Sequence, residues 1–241
     1  MITALGAEVY PMTTTRRCAQ KIVEYAKQWV PDFTVHESAP VGEVNSVSFG
    51  EMIKQAVPGN AILSRTNAPL MATCLNFIRN GIPSRIEGRD IASQLDGILK
   101  QVADTNDDIV NFLNKLESWK LVRISKAQGW NAQATIDFVC DQADTLKVLA
   151  ESVNSVSEMS GKINLLFEDS NGTEKPSVKC STIHKAKGLE WEKVFILQNS
   201  FSNRGGTTEE QKREEENIRY VAATRARHSL NLVQGLTPKD N

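Results

Sequence analysis

VKCSTIHKAKGLEWEKVFILQ, residues 178–198, and EEENIRYVAATRARHSL, residues 214–230, decide the fold. The first opens on an apolar, strand-like run that leads into Thr182, His184, Lys187, Gly188 and Glu190. A second strand-like run, Val194 to Leu197, follows. A polar loop then precedes a helix that ends in Thr224, Arg225 and Ala226. Strand, loop, strand and helix in this order predict a parallel α/β domain. The polar groups collect where strands end, the usual ligand position in such sheets.

Outward from these blocks, the spacing of Ile22, Val23, Ala26 and Trp29 predicts a helix over 14–29 with Thr15 as its cap. The polar stretch from Pro31 to Ser48, with Pro40 and Gly42, reads as an irregular excursion. NAILSRTN (60–67) has the apolar centre of a buried strand, Pro69 opens a helix through Ile78, and IPSRIEG (82–88) predicts another short strand. From Asp90 the character changes. Ile91, Leu95, Ile98, Leu99 and Val102 form one helical stripe; Ile109, Phe112, Leu113, Leu116 and Trp119 form a second; Ile136, Val139, Cys140, Ala143 and Leu146 form a third. A fourth helix is expected from about Val156 to Phe167. The expected organisation is a sheet domain in two pieces, 1–89 and 170–241, interrupted by an all-helical insertion at 90–169.

The hydrophobic fraction of 40% and charged fraction of 24% are those of an ordinary globular protein. A net charge of −1 gives no global attraction to nucleic acid, so any such contact needs a local groove. The four cysteines (Cys18, Cys74, Cys140, Cys180) are widely spaced, without a C-x-x-C pair, and indicate neither zinc nor a disulfide framework. Cys180 reads as a core strand residue. No signal peptide and no membrane-length apolar run is visible, so a reducing, cytoplasmic setting is expected. His36, His228 and the acidic run Asp104, Asp107, Asp108 suggest no site; the aspartates suit the start of the next helix.

The two opening blocks resemble motifs V and VI of the UvrD/Rep-type superfamily 1 DNA helicases: T-x-H-x-x-K-G-L-E, then Y-V-A-x-T-R-A about a helix-length later. The resemblance implies a RecA-like sheet domain of the P-loop NTPase type, the second half of an ATP-dependent enzyme moving 3′ to 5′ on single-stranded DNA during repair or replication. It implies that Arg225 reaches the γ-phosphate of ATP, where cationic groups stabilise the charge of phosphoryl transfer. TTTRRCAQKIV (13–23) resembles motif IV and makes Arg17 the second γ-phosphate ligand. The family tyrosine before that arginine is here Arg16, whose guanidinium can also stack on a base. Glu190 resembles the glutamate that meets the nucleotide sugar, and Gly188 lets backbone come close to a ligand. Thr182 and His184 would offer neutral donors to the DNA backbone. Lys187 would bind a phosphate or pair with a carboxylate. Ser64, Arg65, Thr66 and Asn67 resemble motif IVa and add contacts to the same strand.

No G-x-x-x-x-G-K-[ST] occurs in the 241 residues, and Gly161-Lys162 is followed by Ile163. Nor is there an apolar strand ending in Asp-Glu to hold Mg2+. The phosphate cradle and metal ligands are therefore expected on a separate P-loop-bearing N-terminal half. The opening GAEVYPM (6–12) resembles the stretch that joins the halves. Two rival readings stand beside this one: a non-catalytic single-stranded nucleic-acid-binding module, and a structural α/β adaptor.

Overall fold

The computed structural model describes residues 13–104, 107–129, 132–167, 176–201 and 208–235. The joining stretch 6–12 and most of the turn-rich segment 169–177 lie outside them. Six strands form one sheet: β3 (Glu43–Ser48), β4 (Ala61–Ser64), β5 (Ser84–Ile86), β6 (Val178–Thr182), β7 (Trp191–Leu197) and β8 (Ala226–Gln234). Their spatial order is β3-β8-β7-β4-β6-β5, and every pairing is parallel. A two-residue parallel pair, β1 (Thr14–Thr15) with β2 (Thr34–Val35), stands apart. The described residues thus form a parallel α/β domain.

Period-two alternation assigns the core. Ala61, Leu63, Val194, Ile196 and Leu230 enter one cluster with α1 (Gln20–Ala26) and α8 (Glu209–Ala223). Ile62, Phe195, Leu197, Val178 and Val233 face the other way, toward α2 (Phe49–Gln55) and α3 (Asn67–Arg79). Both faces are covered, so the central strands read as continuous apolar runs.

The four helical stripes appear as α4 (Arg89–Val102), α5 (Ile109–Ser125), α6 (Ala132–Ala150) and α7 (Val156–Phe167). Asp108 caps α5, accepting from the Asn111 N–H at 2.7 Å. Leu95, Phe112, Leu116, Leu146 and Ile163 join the same cluster as Ile62, Met71 and Phe77, so this helical block and one sheet face share a core.

Two expectations need correction. The first helix begins at Gln20, not near Thr15: Thr14 and Thr15 are drawn into the pairing with Thr34 and Val35, and the Thr15 hydroxyl accepts from the Arg17 N–H at 3.1 Å. Arg16 and Arg17 therefore lie in a bend. The stretch 31–48 is not irregular throughout, because it supplies β2 and the sheet-edge strand β3. Only Val44 and Val47 of β3 are apolar, too few for a visible period.

The shared core predicts a single unfolding event. Leu146→Ala, deep in α6, should cost about 2–5 kcal/mol and shift helical circular dichroism and tryptophan fluorescence together. Helical signal lost well before the fluorescence change would contradict the shared core.

Candidate functional site

The residues singled out by sequence fall into two groups at opposite ends of the sheet. Glu190 precedes β7 and Arg225 precedes β8, so both stand at the N-terminal ends of strands. This corrects the expectation that all polar groups gather at the carboxyl ends. Thr182 ends β6 and Ser64 ends β4, and these two are register partners at the other end.

At the first end, three segments are knitted by main-chain contacts. The Trp191 N–H donates to the Arg225 carbonyl at 3.0 Å, and the Ala19 N–H to the Arg227 carbonyl at 2.9 Å. The Cys18 thiol donates to the Thr224 carbonyl at 3.6 Å. Gly42 permits the close packing: with φ +64°, a Cβ there would lie 2.3 Å from the Ala19 Cβ. The result sets Arg17 in an ion pair with Glu190. Arg227 adds a bond of 3.3 Å to Glu192 and a longer approach of 3.8 Å to Glu190.

Arg225 is held more firmly. Its Nε donates to the Val221 carbonyl at 3.0 Å, Nη1 to the Leu189 carbonyl at 3.1 Å, and Nη2 to the Thr224 hydroxyl at 3.3 Å. A guanidinium has five N–H donors, so about two are left for a ligand. Burial, and then the charge of Arg17, hold Arg225 below the ordinary arginine range. It stays protonated regardless, and an anion placed between the two guanidiniums would relieve their repulsion. Tyr220 stands beside them, edge-on to Phe33 with ring centroids 5.5 Å apart. Burial pushes the Cys18 thiol up, which suits an inert core residue. Arg16 is exposed, with no side-chain hydrogen bond among the described residues. Gly188 is in the left-handed region at φ +88°, with open space around its missing Cβ, so its role here is conformational.

At the second end, the main-chain donors of the Ser64–Asn67 turn are internally used. Arg65 N–H donates to the Ser200 hydroxyl at 2.9 Å, and Thr66 N–H to the Ser64 hydroxyl at 3.3 Å. Asn67 N–H and Ala68 N–H donate to the carboxylate of Asp141 at 3.0 and 3.2 Å, and Asn67 Nδ2 donates to it at 2.8 Å. Ser64 is fully buried, so it shapes the turn. Thr182 is nearly buried, its hydroxyl accepting from the Lys185 N–H at 3.4 Å. His184 and Lys187 are exposed. Crowding by surrounding atoms, then the charges of Arg65 and Lys187, hold His184 below the usual histidine range. Arg65 and Lys187 thus surround His184 with positive charge, opposed by Glu214, and His184 itself is neutral at pH 7.

Two residues here escape a reading by motif. Asp141 of α6 caps α3, whose own N-cap residue Thr66 makes no side-chain cap bond. Glu215 of α8 accepts from Arg65 Nε at 3.2 Å. A helical stripe through Glu215, Ile218 and Ala222 was the available signal that Glu215 faces inward. No sequence signal pairs Asp141 with a turn 74 positions away.

The two ends are joined by residues 183–190. By register, Thr182 lies level with Ser64, and Leu63 level with Ile196, so the segment leaves near the level of Leu197 and returns at Trp191. That is a descent of roughly 20 Å at 3.3 Å per residue. Ile183 and Ala186 pin it to the core beneath α1 and α8.

Among the described residues, no helix is long and apolar enough to cross a membrane, and no cluster of His, Cys, Asp or Glu is arranged to hold a metal. Among curated proteins, none matches the chain. Among solved structures, the chain is similar to the C-terminal domain of a possible DNA helicase from Lactobacillus plantarum WCFS1. That likeness has 12% identity and a TM-score of 0.41, and covers 93% of this chain and 91% of the other. Residues 141–234, which run from within α6 to the end of β8 and include both end groups except their N-terminal contributors, match the UvrD-like helicase C-terminal domain.

Proposed function

We propose that this chain is the C-terminal RecA-like part of an ATP-dependent DNA helicase that translocates 3′ to 5′ on single-stranded DNA. The observation that carries the proposal is the grouping of Arg17, Glu190 and Arg225 at one end of the sheet, linked through an eight-residue crossover to Thr182, His184 and the Ser64–Asn67 turn at the other. The arginine pair fits a nucleotide phosphate: two repelling guanidiniums, one with unused donors, surround a place for negative charge. When bound, ATP supplies the phosphoryl group whose transfer drives movement. Arg17 and Arg225 would stabilise charge on the γ-phosphate, and release of Arg17 would leave Glu190 to accept from the sugar hydroxyls. Arg16, and Gly188 through the turn it permits, would border the same nucleotide. Mg2+ and the phosphate cradle would belong to a P-loop-bearing N-terminal half.

At the other end, Thr182, His184, Lys187 and Arg65 would contact phosphates of the strand, with Thr66 and Asn67 beside them. Few cations take part, so the salt dependence of binding should be shallow.

The chain alone should hydrolyse no ATP above background. Joined to a P-loop-bearing N-terminal half, it should restore turnover dependent on single-stranded DNA. Arg17→Ala or Arg225→Ala should then lower turnover on the order of 10³-fold, with nucleotide affinity falling less. A reconstituted enzyme indifferent to Arg225→Ala would favour a non-catalytic binding module instead.

Strand binding carries its own pH signature. His184 is neutral at pH 7 and gains charge as pH falls through its depressed pKa. Affinity for a labelled oligonucleotide should therefore rise as pH falls below the ordinary histidine range, with uptake of a proton. Fluorescence anisotropy should show the rise in wild type and its loss in His184→Ala. Equal binding by wild type and the Thr182→Ala/His184→Ala double variant would remove those residues from the strand contact.

A further inference from the structure

Glu215 is out of place. It sits on α8 in the run EEQKREEE, where every other acidic residue is exposed, yet it is only 7% exposed itself. A carboxylate is rarely buried without a paired charge. The pair is Arg65, whose Nε lies 3.2 Å from Glu215 Oε2, with side chains 21% and 10% exposed. The other oxygen, Oε1, is buried with no hydrogen-bond partner among the described residues. Glu215 thus gives up half of its hydrogen bonding to hold one nitrogen of one arginine, and such a buried group needs a reason.

The reason lies in what the grip does to Arg65. The Arg65 main chain is already fixed by Ser200, and its side chain is fixed through Nε alone. Among the described residues the terminal nitrogens have no partner. They are the part of a guanidinium that forks onto a phosphate. The charge of Arg65 is felt at His184, so the guanidinium stands on the side of the sheet where the strand is proposed to run.

We infer that Glu215 is a positioning residue for strand binding: it anchors Arg65 through Nε and so presents the terminal nitrogens of that guanidinium to a phosphate of single-stranded DNA. This rests on the reading of the Ser64–Asn67 end as a strand-binding site. It also predicts a sign that simple electrostatics does not. Glu215→Gln removes a negative charge beside the strand, and by charge alone binding should tighten. With the anchor weakened rather than removed, binding should instead loosen roughly three- to tenfold, the range set by one ordinary hydrogen bond.

The experiment is anisotropy of a labelled oligothymidylate with the full chain across a salt series, with thermal melts to confirm that each variant is folded. Glu215→Gln should bind more weakly than wild type, and Arg65→Ala more weakly still. The double variant should equal Arg65→Ala, because Glu215 acts only through that side chain. Arg65→Lys keeps the charge and loses the anchored fork, and should also weaken binding even where Glu215→Gln proves too unstable to measure. Binding by Glu215→Gln equal to or tighter than wild type, or losses that add in the double variant, would overturn the inference while leaving strand binding intact. Wild type that fails to bind would remove the strand-binding reading itself, and the role of Glu215 with it.

Discussion

The placement of β4 between β6 and β7, all three parallel, governs both candidate sites. Parallel neighbours require the chain to return along the length of the sheet before the next strand can start, usually through a helix and a dozen residues or more. Here only residues 183–190 make that return. Ile183 and Ala186 are buried along it, and the Leu189 carbonyl at its lower end receives Arg225. Little slack remains in a segment that starts with a turn and must still descend roughly 20 Å. The residues at its two ends are therefore held to one another by covalent geometry as well as by packing.

Electrostatics then distinguishes the ends. One pairs the Arg17 guanidinium with the Glu190 carboxylate and holds the Arg225 guanidinium nearby on main-chain carbonyls, all partly open to solvent. The other has its main-chain donors satisfied by Asp141, Ser200 and Ser64, which leaves side chains alone to meet a partner. The net charge of the chain says nothing of this division, because it averages over both ends.

Much of the fold was legible in sequence where a period had room to show. The stripes of α4 to α7 are long, and the central strands are apolar on both faces, so their positions followed directly. The two failures share a cause. β1 and β2 are two residues long, and β3 is an edge strand with a mostly exposed face, so neither offers a repeat to read. Which end of the sheet each polar group occupies was equally hidden, since a loop between strands has the same composition at either end. The motif residues themselves were legible, but their partners were not: Asp141 and Glu215 each act on a turn 74 and 150 positions away, and only folding brings them to it.

Glu215 and Arg225 share more than an arginine-rich setting, for α8 carries the first and its C-cap, Thr224, immediately precedes the second. The nine helical residues from Glu215 to Ala223 make a strut of about 13.5 Å with a fixed twist. Arg65 is bonded near one end of that strut through Glu215, and Arg225 follows the other end. The crossover ties the same two ends by a tether that resists only stretching, whereas α8 also resists compression and rotation. A tether and a strut in parallel hold the two ends of the sheet at a set separation.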